Sequence, residues 1–495
     1  MSPLDLLILI PIFAAVAIAC GVPARAAALL AAIANVGLVI SLLLMFLPHQ
    51  TTPQFTASRV VLQSPHIAYA VGLDGMSLVL VILTAIVSLC AVSITPPSGA
   101  SEKVWYSSSL LIAAGAMGAF LATDLFFLYA FHEMALIPTF LMIGMYGHGG
   151  RENRLHAAWK ITIYLGLGSL VLLAGLAWLV LSASPSGGLT FDIATLTASA
   201  QHLDDKLQTS IFLILLIGFG ILVSLFPFHS WAAPAYAAAP TPTAMMHAGV
   251  LKKFGLYGLL RIALPMLPSG AASPWLQNLL LWLLVGNILI IGLVTIAQRG
   301  LDHMLGHSSV MHMGYIFLGI ACGNSIGYHG ALLLMFAHGI SIALLFALAG
   351  HLRTQTGTLE MNRFGGLAKR APLFAFLFGL GAMASLGLPG FANFAAEIMV
   401  FLGGFKDSAG HIGPVQLATI LALWGVVISA VYMLRSYKTI FMGSQGELPL
   451  SDPPPLTLGQ KLPLLLLTTT LLVVGFCPQL LLHYAQPVLD LLPRH

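Results

Sequence analysis

The chain has few charged side chains. Of its 495 residues, 7% are Asp, Glu, Lys or Arg, whereas soluble domains carry roughly 25%. The formal net charge of +4 is spread thinly, and there is no basic run that could follow a phosphate backbone. These absences exclude a water-soluble enzyme and a nucleic-acid-binding protein.

Cysteine is also scarce. Cys20, Cys90, Cys322 and Cys477 lie far apart, without the CxxC or CxxxC spacing that iron–sulfur, haem and zinc frameworks require. No HxxE pair is present for a metal, and no GxGxxG motif opens a helix after a strand. We therefore expect this chain to contain neither a metal site nor cofactor-binding residues.

Apolar residues are abundant at 58% of the chain. A membrane-spanning helix needs about 20 mainly apolar residues, and fourteen windows meet this condition. This pattern predicts an all-α polytopic membrane protein that forms a single integral membrane domain over residues 1–495. The windows lie near 3–20, 27–47, 73–95, 107–122, 124–146, 158–182, 209–230, 241–264, 276–297, 304–322, 327–351, 372–404, 415–440 and 463–485.

The loop charges predict the orientation in the membrane. The odd-numbered loops hold twelve Lys and Arg side chains, and the even-numbered loops together with the termini hold five. Because cytoplasmic loops are enriched in Lys and Arg, we expect the odd-numbered loops in the cytoplasm. Both termini then lie outside.

Two windows contain helix-breaking residues. The seventh has Gly218, Gly220 and Pro227, and the twelfth contains the segment 385–390 with Gly387, Pro389 and Gly390. Paired discontinuous helices often line ion pathways. The two breaks are five windows apart, which predicts two five-helix repeats at about 107–264 and 276–440. An odd number of crossings in each repeat makes the two repeats inverted relative to one another.

Several ionisable side chains lie inside these windows, where they are costly and usually functional. Glu133 is in the fifth window, Lys252 and Lys253 are in the eighth, and Glu397 follows the break in the twelfth. Carboxylates and amines at this depth can pass a proton. Paired charges that lock helices together are the alternative. Lys252 points about 100° away from Lys253 on a helix. We therefore list Lys252 only as a further possible proton-transfer residue.

Histidines accompany these charges within the membrane. His229 lies near the seventh-helix break, His312 is in the tenth window and His338 is in the eleventh. Histidine titrates nearest to neutral pH and relays protons readily, although a single buried histidine is more often hydrogen-bonded packing. Because three occur beside acids and lysines, we interpret them as proton-transfer residues, with His132 beside Glu133 as a further possibility.

From about residue 68 to 440 the sequence resembles the antiporter-like membrane subunits of respiratory complex I, the proton-translocating NADH–quinone oxidoreductase. Within that family it is most similar to type M, called subunit 4 in mitochondria. The order and spacing of the motifs make the resemblance specific. They are Gly72–Ser77, Glu133–Pro138, Pro227–Trp231, Ala248–Lys253, Tyr257–Arg261, Ser308–Gly314, Ala337–Gly339 and Leu386–Phe391 with Glu397.

The resemblance implies a proton-translocating subunit that couples quinone reduction in partner subunits to proton pumping. Glu133, Lys253 and Glu397 match the family's fifth-helix glutamate, eighth-helix lysine and twelfth-helix glutamate. A glutamate at position 397, where types L and N have lysine, favours type M. The expected partners are types L and N, peripheral redox subunits and lipid. NAD, FMN, iron–sulfur clusters and quinone would lie in those partners, and the expected location is the bacterial inner membrane.

The sequence departs from the family pattern at three points. Leu222 stands where the family has the seventh-helix lysine that pairs with the glutamate at position 133, and Tyr236 replaces an expected histidine. At the start of the tenth helix the family has a sequence like Asp-Leu-Lys-Arg, and this chain has Gly300–His303. His132 or Ser224 could partner Glu133 instead.

These departures leave two alternatives open. One is a homologous subunit of a membrane-bound hydrogenase, a formate-hydrogen lyase or a multisubunit cation/proton antiporter. The other is a structural copy that does not pump, because Leu222 removes a charge on which the family's mechanism depends.

Overall fold

The computed structural model describes residues 2–185, 188–406, 410, 412–444, 446 and 456–494. Each of the fourteen predicted windows corresponds to a helical span in this part of the chain, so the predicted fold class is confirmed. The spans are α1 (Pro3–Ala19), α2 (Ala24–Met45), α3 (Gly75–Val92), α4 (Glu102–Leu121), α5 (Leu125–Tyr146), α6 (Arg151–Ala183), α7 (Asp205–Val223 and Ala232–Ala238), α8 (241–266), α9 (Pro274–Ile296), α10 (Leu301–Ala321), α11 (Ser325–Thr356), α12 (Pro372–Ser385 and Ala392–Lys406), α13 (Pro414–Phe441) and α14 (Leu458–Phe476).

Within the described residues, ten of these spans contain a helix long and apolar enough to cross a membrane. The other four are α1, α8, α10 and α12. Helix α1 has 17 residues, α10 carries Asp302 and three histidines, and α8 and α12 are interrupted. The last predicted window, 463–485, extends past the end of α14. Helix α14 ends at Phe476, and a separate helix follows at Gln479–Leu489.

Helix α8 is not a regular α-helix. Its α-helical parts, Thr241–Met246, Lys253–Gly258 and Leu264–Met266, alternate with π-helical turns at His247–Leu251 and Leu259–Ala263. A third π-helical turn, Gly286–Ile290, lies in α9 between Pro274–Val285 and Ile291–Ile296. Such turns occur often at functional sites, because they rotate the following residues around the helix axis.

Short side chains cap four of the helices that begin at even-numbered loops. Asp74, Asp124, Asp204 and Asn324 each accept a hydrogen bond from a backbone N–H in the first turn of α3, α5, α7 and α11, respectively. The first N–H groups of a helix have no partner within the helix, and a side-chain cap stabilises them by about 1 kcal/mol.

The predicted breaks in the seventh and twelfth helices are both present. The first part of α7 ends at Ser224, which has a left-handed backbone with φ of 69°, and the helix resumes at Ala232. The first part of α12 ends before Gly387, whose φ is +68°, and the helix resumes at Ala392. The broken helix is thus the fourth in each predicted five-helix repeat. The repeat boundaries at 107–264 and 276–440 stay predictions.

A β-hairpin occupies the second loop, which the sequence analysis did not predict. Strands β1 (Gln54–Leu62) and β2 (Ile67–Leu73) pair antiparallel, with Ala57 opposite Val71 and Val60 opposite Ala68. Arg59 of β1 forms an ion pair with the buried Asp5 of α1 at 3.2 Å. A search for long apolar runs does not detect such short strands. The other short helices are Ile193–Ala200, Pro268–Ala271, Leu367–Arg370 and the 3-10 turn Met361–Arg363.

The core lies around α3, α8, α10 and α11. Helix α11 is the most buried of the ten long spans, whereas only about a third of α2 and of α14 is buried. Residues that face outward are large and apolar, including Leu30, Leu44 and Trp424, as expected for a surface that contacts lipid. Polar side chains that lie between the central helices are therefore shielded from both water and lipid.

Candidate functional site

Helix α8 places Lys253 at the centre of the core. The side chain is fully buried, and its Nζ donates a hydrogen bond to the carbonyl of Ala248 at 2.7 Å. That carbonyl is available because the π-helical turn at His247–Leu251 disturbs the regular helix hydrogen bonding. The same Nζ lies 3.0 Å from Nδ1 of His338 on α11, so a proton can pass directly between amine and imidazole.

A second imidazole continues this contact. The rings of His338 and His312 have centroids 5.5 Å apart. His312 of α10 lies with Nδ1 2.8 Å from the carbonyl of Ser308 and Nε2 3.0 Å from the carbonyl of Ser385. Ser385 is the last residue of the first part of α12. The imidazole pair therefore extends from Lys253 to the break in α12.

Glu397 lies just beyond this break. Its side chain is buried, and Oε1 has no hydrogen-bond partner among the described residues. Its Oε2 lies so close to Gly387 that a Cβ on that residue would be 2.2 Å away. Gly387 follows Ser385 by two residues, so the same short loop contacts both His312 and the carboxylate. We call Lys253, His338, His312 and Glu397 the central axis.

Lys252 is buried separately from the central axis. Its Nζ lies 3.5 Å from the hydroxyl of Ser309 on α10 and 5.6 Å from the centre of the Tyr236 ring. The Tyr236 ring offers a cation a weakly attractive face. No carboxylate pairs with Lys252 within the described part of the chain. Lys252 thus has its own polar surroundings on the side of α10 and the second part of α7.

Glu133 contacts polar side chains other than a lysine. Oε1 accepts a hydrogen bond from Ser169 of α6, and Nδ1 of His132 lies 3.3 Å away. The Ser169 oxygen also lies 3.0 Å from the hydroxyl oxygen of Tyr129. The predicted substitute His132 is therefore near, whereas the hydroxyl of the other, Ser224, donates to its neighbouring carbonyl of Val223.

Leu222 packs close to the residues that hold Glu133. It is buried, and its Cδ2 is 3.3 Å from the position that a Cβ on Gly168 would take. Gly168 precedes Ser169, so Leu222 packs one residue away from the group that binds Glu133. The side chain of Glu133 is 36% exposed. The glutamate is thus held by hydrogen bonds at the edge of the bundle, outside the central axis.

The break in α7 is held by Asn287, a residue that the sequence analysis missed. Its Nδ2 donates to the carbonyls of Ser224 and Val310 at 3.2 and 2.9 Å, and its Oδ1 accepts from the N–H of Phe226. Backbone groups freed at a break inside a membrane need such partners. His229, in the same break, stacks on Phe226 and does not join the central axis by a hydrogen bond.

Two ion pairs join helices at the ends of the core. Asp74, the cap of α3, pairs with Arg261 of α8, and both residues belong to recognised motifs. Asp302, in the divergent start of α10, pairs with Arg353 of α11. Arg353 also donates to the carbonyl of Ala237 at 3.0 Å. These pairs hold the helices that carry the axis.

The structure therefore brings together Lys253, His338, His312 and, through the α12 loop, Glu397. It leaves Glu133 with His132 at a separate position and His229 in the α7 break. The sequence analysis missed Ser169, Ser309, Asn287 and the Ser385 carbonyl. Polar residues within apolar windows were the available signal, but such residues are too common to identify without their neighbours. The described residues contain no cluster of three or more His, Cys, Asp or Glu that could hold a metal ion.

This architecture has known relatives. The sequence matches the family described as NADH:quinone oxidoreductase/Mrp antiporter, transmembrane, over residues 122–440. The match covers well over half of the chain, and the chain belongs to this family. It is thus an antiporter-like, multi-pass integral membrane protein, which confirms the resemblance seen in the motifs.

Individual relatives agree with this assignment. The chain is 34% identical to F(420)H(2) dehydrogenase subunit M of Methanosarcina mazei, over 99% of this chain and 96% of that protein. It is 33% identical to NADH-quinone oxidoreductase subunit M of Pseudomonas aeruginosa, over 89% of this chain and 84% of that protein. The structure matches a chain of respiratory complex I from Thermus thermophilus with a TM-score of 0.87 and 29% identity, over 98% of both chains.

Proposed function

We propose that this chain translocates protons as the type M subunit of a respiratory complex that reduces quinone. Electron transfer would take place in partner subunits that hold NAD, FMN, iron–sulfur clusters and quinone. This chain would contribute no redox centre. The proposed partners are the sister membrane subunits L and N, the peripheral redox subunits and lipid. The proposed location is the bacterial inner membrane, with both termini outside.

The observation that carries this proposal is the central axis. Lys253 lies 3.0 Å from His338, whose ring lies 5.5 Å from that of His312. A buried lysine without a carboxylate partner is costly when charged, so it holds a proton only transiently. The proton would rest on Lys253, pass through the two imidazoles and reach Glu397 beside the α12 break. It would leave on the side of the even-numbered loops.

Glu133 would couple this subunit to the neighbouring membrane subunits. Moving an opposite charge to within about 4–6 Å changes the protonation equilibrium of a group by one to three pKa units. The hydrogen bond from Ser169 in place of a lysine means that Glu133 has a fixed neutral partner. We infer that this copy responds to its neighbours less strongly than a copy with the lysine at position 222.

The test uses the intact complex. A tagged chain is purified from its native membrane in mild detergent, its partners are identified, and the complex is reconstituted in vesicles. Lys253→Met is then compared with Lys103→Met, an exposed lysine at the start of α4. We expect Lys253→Met to lower the number of protons moved per electron pair, and Lys103→Met to leave it unchanged. Equal pumping by both variants would refute the proposal.

The partners that copurify decide between host complexes. The relative named F(420)H(2) dehydrogenase subunit M covers nearly the whole chain, so a donor other than NADH is the second candidate. Flavin and iron–sulfur subunits with types L and N support a complex I. A nickel-iron hydrogenase, a formate dehydrogenase or an antiporter assembly would move the chain to that complex. Unchanged pumping by Lys253→Met and Glu133→Gln together would favour a structural, non-pumping copy.

A further inference from the structure

Helix α10 carries two histidines that the central axis does not use. His303 lies in the first turn of the helix and His307 lies one turn further in. Residues four apart lie on one face of a helix, with Cβ atoms about 5–6 Å apart. Both side chains are half-buried. They form a short line that leads from the ninth loop into the membrane.

The line points toward the break in α7 and toward Lys252. Lys252 lies at the contact between α10 and the second part of α7, since its Nζ is 3.5 Å from the Ser309 hydroxyl and 5.6 Å from the centre of the Tyr236 ring. Close packing of the helices supports this placement. A Cβ on Gly306 would lie 2.7 Å from Cα of Ala233, in the second part of α7.

The imidazoles have unused nitrogen atoms. Nδ1 of His307 and Nδ1 of His229 are both buried, and neither has a hydrogen-bond partner among the residues that the structure describes. Buried polar groups without a protein partner are usually satisfied by ordered water. Water between imidazoles provides the hydrogen-bonded path that a relay of protons requires.

We propose that His303, His307 and His229 form a proton inlet from the ninth loop to Lys252. This inference rests on the proposed function and extends it to the uptake of the proton. A proton would pass from the imidazolium of His307 through water or the Ser309 hydroxyl to the neutral Nζ of Lys252. Ser309 lies at the Lys252 end of this path, because its Oγ is 3.5 Å from that nitrogen.

Protonated Lys252 would then act on the proton that is already on Lys253 of the central axis. It is adjacent to Lys253 in α8, and both side chains are buried. Two like charges at close range disfavour each other. A proton that arrives on Lys252 therefore repels the proton on Lys253 toward His338. In this chain Lys252 supplies the mobile positive charge that Leu222 cannot.

The test compares His307→Ala and His307→Gln with His351→Gln in the reconstituted complex. His351 is half-buried near the end of α11 and is not part of the inlet. We expect both His307 variants, and Lys252→Met, to lose this subunit's share of the protons pumped per electron pair. Added imidazole should restore pumping in His307→Ala, since a small base can occupy the space left by the ring. The His351 variant should pump normally.

Lys253→Met distinguishes this inference from the proposed function. If Lys253→Met lowers pumping while His307→Ala and Lys252→Met pump normally, the inlet is refuted and the central axis stands. If Lys253→Met has no effect, the proposed function itself fails. A loss in His307→Ala that imidazole does not restore, in a complex of unchanged thermal stability, would also overturn the inlet.

Discussion

Gly387 offers a sharp test of the position of Glu397. Its φ of +68° is in the left-handed region, and an added Cβ would lie 2.2 Å from Oε2 of Glu397. Alanine in this conformation costs roughly 1–2 kcal/mol in backbone energy. The carboxylate lies at the flexible end of its side chain, so it would move by roughly 1 Å to reach an ordinary contact distance.

The expected result of Gly387→Ala is a small loss of stability and a large loss of proton transfer. A misplacement of about 1 Å at a reacting group can lower a rate by about 10²-fold. The assay measures the protons moved per electron pair in reconstituted vesicles, together with the thermal midpoint of the detergent-solubilised complex. We expect a large loss of pumping through this subunit together with only a small decrease in the thermal midpoint.

Gly357 provides a matched control. Its φ is +73°, and no atom lies within 4 Å of an added Cβ, so Gly357→Ala has the same backbone cost without the contact. The two variants should lose similar stability, and only Gly387→Ala should lose pumping. In a Glu397→Gln background, Gly387→Ala should have little further effect, because contacting residues are not additive. Equal pumping by the two glycine variants would refute the reasoning.

Three further predictions follow from the contacts. Asn287→Leu leaves buried backbone groups of the α7 break without partners, which costs about 1–3 kcal/mol and should lower the thermal midpoint. Leu222→Lys should be tolerated beside Glu133, but cost roughly 3–5 kcal/mol more in a Glu133→Gln background, where the buried charge is unpaired. Burial, and then the charge of Arg353, lower the pKa of His148 from 6.5 to about 4. Stability that depends on neutral His148 should be complete above pH 6.5 and decline as the pH falls toward 4.

Each of these predictions has a control. Asn278→Leu changes an exposed asparagine on the same helix and should not affect the midpoint, so equal losses would contradict the role of Asn287. For Leu222→Lys, the same cost in both backgrounds would show that the lysine does not reach Glu133. For the pH dependence, His148→Gln should flatten the curve of the midpoint against pH, and a curve identical to that of the unmodified chain would count against the assignment.

Much of the fold could be predicted from the sequence because lipid imposes a local rule. A span must be apolar over about 20 residues, and this property can be determined from composition alone. Pro227 and Gly387 likewise marked the two broken helices, since their backbone preferences are local. The π-helical turns of α8 and the β-hairpin were not predicted, because no apolar pattern distinguishes them from ordinary helix or loop.

Glu133, Lys253 and Glu397 could be identified from the sequence, because an ionisable group in an apolar window is conspicuous. Which of these groups contact one another depends on the tertiary structure. Lys253 meets His338 and His312, while Glu133 bonds to Ser169 of another helix. The rotation of each helix about its axis and the packing of its neighbours set these contacts. Both depend on residues that lie far apart in the sequence, so no local pattern contains them.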